Sequence, residues 1–271
     1  MLKQRLLTAA ILIPLLLAVL FVASPTQFYV VMFMVSLWAA WEWAGLMEIQ
    51  DVPVRLLYVF AMGLVLVKAL MMPILPVLVV AAIWWVVAIV MIVRYAYGYH
   101  SLNRNFVMRG MIGMLVLVPC LVALCYIRRQ EQGQMILLFL FALVCGADTV
   151  AYFVGKQWGK NKLAPLVSPQ KSIQGLVGAL VFAVLLTSIV LWMSHAPFMY
   201  GSLVMGAILG IVLISVVGDL FESMLKREAN LKDASQWLPG HGGLLDRIDS
   251  LTAAAPFYAL CIWVFHRYIE T

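Results

Sequence analysis

The fold class this sequence predicts is an all-α polytopic integral membrane protein of about nine transmembrane helices, and three observations carry that prediction. Apolar residues fill 65% of the 271 positions and charged residues only 11%, against roughly 45–50% and about 25% in a soluble domain. The mean hydropathy is +1.03. The apolar residues gather in runs of the length, ~20 residues, that a helix needs to cross a hydrocarbon core of about 30 Å. So few charges cannot clothe a soluble globule of this size. Nucleic-acid binding, a secreted disulfide scaffold and a disordered chain are excluded together.

The runs lie at 6–23, 28–47, 54–72, 74–93, 107–127, 135–155, 175–195, 198–222 and 251–268. The first follows Lys3 and Arg5 in the manner of a signal peptide. The next run begins almost at once, after Ser24-Pro25-Thr26, so an uncleaved first helix is expected. Pro25, Pro73, Pro76 and Pro197 fall at span edges, where proline punctuates rather than breaks helices. Cys120, Cys125, Cys145 and Cys261 sit inside apolar runs with no CxxC or Cys/His spacing, which suggests neither a zinc site nor a disulfide framework.

A cytoplasmic N-terminus gathers the basic residues on one side. Lys3, Arg5, Arg55, Arg94, Arg104, Arg109, Lys156, Lys160, Lys162, Lys171, Lys226, Arg227, Lys232 and Arg247 then face the cytoplasm. Only Arg128, Arg129 and Arg267 face outward, with Lys68 near the outer end of the third span. That is the bias of an inner-membrane protein, and it also accounts for the net charge of +6. Both long polar loops, 156–174 and 223–250, are thereby placed where nucleotides are.

Polar residues divide the chain in two. Residues 1–134 are nearly all span. Glu42, Glu48 and Lys68 stand near helix ends there, where snorkelling explains them, and Trp38, Trp41, Trp43, Trp84 and Trp85 read as interfacial or packing aromatics. No chemistry is expected from this half. Residues 135–271 carry it instead.

Asp148 interrupts the sixth span, at a cost of ~2.5–3.5 kcal/mol unless it faces the bundle. Tyr152 follows one turn later on the same face, which predicts a polar cavity or a helix-to-helix hydrogen bond. Asp219, Glu222, Ser223 and Lys226 form a polar stripe at i, i+3, i+4 and i+7 where the eighth span runs into its loop.

In that loop ProGlyHisGlyGly (239–243) is a turn whose bare backbone can approach phosphate oxygens. No Walker loop occurs in the chain. Asp246 and Asp249 project together three residues apart and, with Asp219, can offer hard oxygens to Mg²⁺. Lys226, Arg227, Lys232 and Arg247 add four cations. Each feature has an ordinary explanation alone; within 27 residues their conjunction has the composition of a metal–polyphosphate site. In the other loop, Ser168-Pro169 starts a turn, and Lys171 and Ser172 lead into the seventh helix, a natural anion site.

The stretch SxxKRxxxxKDxxxxxPGHGGxxDRxD, Ser223 to Asp249, resembles the signature of the phosphatidate cytidylyltransferases (CDP-diacylglycerol synthases). GlyAlaAspxxAlaTyr (146–152), GlyLys (159–160) and SerProxLys (168–171) resemble that family in order and spacing, so the likeness is close over 146–255. It implies transfer of a cytidylyl group from CTP to phosphatidic acid, giving CDP-diacylglycerol and pyrophosphate for phospholipid biosynthesis. By the same resemblance Asp219, Asp246 and Asp249 are carboxylates of a divalent-metal centre holding one or two ions, Mg²⁺ first. Asp219, Lys226, Asp246 and Asp249 are then the catalytic set. Ser223, Lys226, Arg227, Lys232 and Arg247 would meet phosphate, with Ser168 and Lys171 on a second phosphate-contacting loop. His241, Gly242 and Gly243 would shape the loop over the nucleotide. Ile173 and Gln174 depart from the aromatic and acidic residues common at those positions. The expected partners are CTP, phosphatidic acid in the bilayer and a second copy of the chain, with no nucleic acid.

Two rival readings remain. Asp148 and Asp219 can serve as coupling-ion sites of a transporter, although the halves do not match as inverted repeats. The CDP-alcohol phosphotransferases also handle liponucleotides, but their DGxxAR…GxxxDxxxD pattern is absent.

Overall fold

The structure, a computed structural model, describes residues 2–99, 105–195, 197–237 and 242–268. Among them run nine α-helices: α1 (Leu2–Phe21), α2 (Pro25–Leu46), α3 (Val52–Met71), α4 (Ile74–Ala96), α5 (Phe106–Arg129), α6 (Gly133–Trp158), α7 (Ile173–Met193), α8 (Phe198–Glu228) and α9 (Leu245–Tyr268). Helices α2 to α9 are long and apolar enough to cross a membrane, and α1 carries a shorter apolar stretch, Ala10–Phe21. Outward faces stay apolar: Leu57, Phe60 and Leu64 on α3, Ile83, Val86 and Val90 on α4, and Val177, Val181 and Leu185 on α7 are exposed. Water would not tolerate such belts; lipid does.

Local sequence sets the helix ends. Ser24 and Gln27 form a reciprocal capping box at the start of α2, with Pro25 in the first turn. Helix α8 stops at a left-handed Asn230, whose N–H donates to Arg227 O while Leu231 N–H donates to Lys226 O. That is a complete Schellman closure, at a residue type that tolerates the left-handed region.

Helix α5 is the buried centre and packs against α2, α3, α4, α6 and α9. Trp43 Nε1 and Tyr58 OH donate to Arg109 O and Gly110 O, so α2 and α3 clasp its first turn. Helices α6 and α7 come close because their contact is made of small residues. A Cβ at Gly175 would stand 2.6 Å from Ala151 O, and one at Gly178 would stand 2.8 Å from Val154.

Two corrections to the sequence reading concern boundaries and one loop. Helix α8 continues to Glu228 rather than ending near 222, and α9 starts at Leu245 rather than 251. Both extensions carry polar residues that their partners in the bundle satisfy, so hydropathy alone cuts them off. The expected loop 156–174 holds an antiparallel hairpin, β1 (Lys162–Ala164) and β2 (Ser168–Ser172). Buried Ala164 and Val167 pin it to the bundle.

Candidate active site

Helices α6 and α8 end, and α7 and α9 begin, at one end of the bundle, and the polar residues of all four converge there. A cavity of about 230 Å³ is lined by Asp148 and Tyr152 from α6, Ser168, Gln170, Lys171 and Ser172 from β2, and Asp219 from α8, among others. Asp148 lies ten residues before the end of α6 and Asp219 nine before the end of α8. At 1.5 Å of rise per residue the cavity floor is therefore sunk about 15 Å into the bundle.

The hairpin makes the cavity's main electrostatic contact. Strand β2 carries Lys171 across so that its Nζ lies 2.6 Å from Asp219 Oδ2, and Ser223 Oγ donates to Asp219 Oδ1 at 3.1 Å. Ser172 is occupied differently from the expectation: its Oγ accepts from Gly175 N–H at 3.1 Å and caps α7. Gln174 takes a structural part, its Oε1 accepting the N–H of Asn161 at 3.2 Å.

Behind this wall the stripe on α8 continues as an ion-pair chain. Lys226 Nζ sits 3.2 Å from Glu222 Oε1 and 2.6 Å from Asp246 Oδ1, all three groups being nearly enclosed. Asp246 Oδ2 accepts from Ala234 N–H at 2.9 Å and Gly243 N–H at 2.8 Å. Asp249 is brought against α8 because Gly218 leaves room for the α9 backbone: a Cβ there would stand 2.6 Å from Asp249 O. Its carboxylate lies within electrostatic range of Asp219 and Glu222.

The structure corrects the reading of Glu42, in the N-terminal half, as a snorkelling helix-end residue. This carboxylate is only 2% exposed, four residues before the end of α2, and it does not snorkel. Its Oε1 accepts from Ser235 Oγ at 2.7 Å and Leu244 N–H at 3.0 Å, and its Oε2 accepts from Leu245 N–H at 2.8 Å. An α-helix begins with orphan N–H groups and a partial positive charge, and here α9 receives its carboxylate from another helix. The only sequence signal was a glutamate deep in an apolar run. The tryptophans of this half also hold the site: Trp38 meets Trp237 edge-on at 6.1 Å, and Trp84 and Trp85 clamp Phe221, one residue before Glu222.

The glycine pair of the motif has a geometric reason. Gly242 has φ +80°, and a Cβ there would meet Asp246 Oδ2 at 2.8 Å. A Cβ on Gly243 would stand 2.6 Å from Glu42 Oε2 and 2.9 Å from Ser235 Oγ. The bare backbone lets two carboxylates close in, and the Gly243 N–H is already given to Asp246.

The remaining predicted cations rim this end: Arg227 in the last turn of α8, Lys232 just beyond it and Arg247 in the first turn of α9 are all exposed. His241 lies outside the described residues. Of the proposed metal set, Asp219 lines the cavity, Asp249 neighbours it and Asp246 stands behind, satisfied by protein donors. Among the described residues no three Asp, Glu, His or Cys side chains close on one point. The donors at hand are carboxylate and hydroxyl oxygens without thiol or imidazole. That set fits Mg²⁺, which uses one or two carboxylates and completes its octahedron with water and substrate phosphate.

An open apolar groove of about 590 Å³ lies between α6 and α7, lined by Val150, Val154, Val177, Val181, Phe182 and Leu185 among others. Ile173 and Gln174 line the groove and Lys171, Ser172 and Gly175 the cavity, so both reach the start of α7 while sharing no lining residue.

Comparison with known proteins places this geometry. The model of the Cytidylyltransferase family matches residues 3–265. The chain belongs to that family. It is 38% identical to the phosphatidate cytidylyltransferase of Pseudomonas aeruginosa over 97% of both chains. It is 34% identical to the one from Haemophilus influenzae, over 96% of this chain and 98% of that one. A Bacillus subtilis protein of the same name matches at 34% over 62% of this chain. The family resemblance seen in the motifs thus extends to the N-terminal helices, and the transporter reading finds no support.

Proposed function

We propose that this protein transfers a cytidylyl group from CTP to phosphatidic acid, releasing pyrophosphate and leaving CDP-diacylglycerol in the membrane. The observation that carries the reading is the Lys171–Asp219 cavity, a charged and hydroxyl-lined pocket framed by helices apolar enough to cross a membrane. The cavity suits a soluble polyanion and the apolar faces of the helices suit a lipid tail, and the reaction needs both. The names of the relatives support the same substrates.

In this reading a lipid phosphate oxygen attacks the α-phosphorus of CTP in line, and the bond to the bridging oxygen of the β-phosphate breaks. The attacking monoester is already ionised near neutral pH, so no strong general base is required. Four phosphate groups must converge, and catalysis is chiefly alignment and charge neutralisation. Lys171 and Ser168 meet phosphate from the hairpin side; Arg227, Lys232 and Arg247 draw the nucleotide in from the rim. Lys226 keeps Glu222 and Asp246 in register. Mg²⁺ would be held by Asp219 with Asp249, while Asp246 stays behind them on Lys226; when bound it would neutralise phosphate charge and polarise the α-phosphorus. The basic bias of the loops supports a cytoplasmic position for this end of the bundle, in a bacterial inner membrane.

The test is conversion of labelled phosphatidate in detergent micelles with CTP and Mg²⁺ varied, run beside Asp219→Asn. Product from the unaltered protein alone, ceasing when Mg²⁺ is chelated, is the expected result. No product at any CTP or Mg²⁺ concentration would remove the assignment.

A further inference from the structure

Glu42 is a buried charge that the transfer reaction, as described above, leaves unused. It comes from the N-terminal half, nearly 200 positions from its partners in sequence, and it is held by three donors: the Ser235 hydroxyl and the N–H groups of Leu244 and Leu245. Those donors bracket the glycine pair and the first turn of α9, the turn that carries Asp246. Asp246 in turn grips Ala234 and Gly243 N–H and Lys226 Nζ. Two carboxylates, one from α2 and one from α9 itself, thus tie the same short segment from opposite sides. Gly243 is where they meet, with no space for a side chain between Glu42 and its backbone.

We infer that Glu42 is a positioning residue for the cytidylyl transfer: its carboxylate caps α9 from α2 and so fixes the orientation of Asp246 and, through it, Lys226. The inference rests on the transferase reading for its activity measurement but not for its structural one. The full charge matters because three donors share two oxygens. In Glu42→Gln the size is kept, yet one oxygen becomes an NH₂ facing a backbone N–H, so either amide orientation leaves a buried donor unpaired. Misplacement of a charged group that backs the reaction site by a fraction of an ångström to about 1 Å costs on the order of 10- to 100-fold in rate.

The experiment uses the full chain in detergent, unaltered and as Glu42→Gln, Glu42→Asp and Ser235→Ala. Deuterium exchange of the peptide spanning Leu244 and Leu245 is read beside kcat, the KM for each substrate and the Mg²⁺ concentration giving half-maximal rate. The expected result is slow exchange at those amides in the unaltered protein and fast exchange in Glu42→Gln. The kcat falls on the order of 10- to 100-fold, half-saturation by Mg²⁺ moves upward and the KM for phosphatidate stays unchanged. Glu42→Asp, which keeps both oxygens and the charge, recovers part of the rate, and Ser235→Ala adds nothing to Glu42→Gln. Freely exchanging Leu244 and Leu245 amides in the unaltered protein would overturn the inference, as would a Glu42→Gln protein with full kcat or a rate loss that only tracks the unfolded fraction. An unaltered protein that makes no product would instead remove the transferase reading, and the exchange arm would still decide whether Glu42 holds the turn.

Discussion

Replacing Lys226 by Met keeps the length of the side chain and removes one charge from a place where it is needed twice. The ammonium lies 2.6 Å from Asp246 Oδ1 and 3.2 Å from Glu222 Oε1, and its side chain is 11% exposed. Without it two enclosed carboxylates remain: Asp246, holding two backbone N–H bonds, and Glu222, which loses its ion pair with Lys226. Breaking a buried pair from one side costs about 3–5 kcal/mol, most of it the penalty of the charge left behind. We take the lower end, about 3 kcal/mol, because Asp246 keeps its two backbone donors. For a chain of this size each kcal/mol moves the midpoint by roughly 2–4 °C, so the detergent-solubilised protein should melt about 6–12 °C lower. The assay is thermal unfolding followed by tryptophan fluorescence or by loss of monodispersity. Adding Glu222→Gln to Lys226→Met removes one orphan charge and should return about half of the loss, while cytidylyl transfer stays abolished in both. An unchanged melting point in the single variant would refute the ion-pair argument. So would a double variant no more stable than the single one.

Two further outcomes follow from the same geometry. Val181→Trp fills the groove between α6 and α7 and should raise the KM for phosphatidate while leaving that for CTP unchanged, checked by varying each substrate in mixed micelles. Gly243→Ala pushes a methyl into Glu42 and Ser235, whose hydrogen bonds hold them in place, and overpacking of this kind costs about 1–3 kcal/mol; a lower melting point together with faster exchange at Leu244 is expected.

The motifs were legible because chemistry constrains residue type. A carboxylate at membrane depth, a lysine one turn from a glutamate and a pair of glycines next to two aspartates are expensive or strained unless something needs them. Asp148, Tyr152, Ser168, Lys171 and Asp219 line one cavity. The helices were legible too, since a hydrocarbon core selects apolar runs of one length. What stayed hidden depends on distance in sequence. The partner of Lys171 is Asp219, 48 positions away, and hydropathy cannot say which polar residues will meet. Nor could it show that 162–172 pairs as a hairpin, for the strands are three and five residues long.

By itself the sequence determined that the chain is apolar enough to span a membrane, where its apolar stretches lie and which short segments gather its charged residues, because solvent acts on residue type locally. Only the tertiary structure decided that Glu42 caps α9, that Asp246 faces Lys226 and two backbone amides, and that an apolar groove opens between α6 and α7. A buried charge is stable only in the company of donors, and which donors reach it is settled by the packing of helices far apart in the chain.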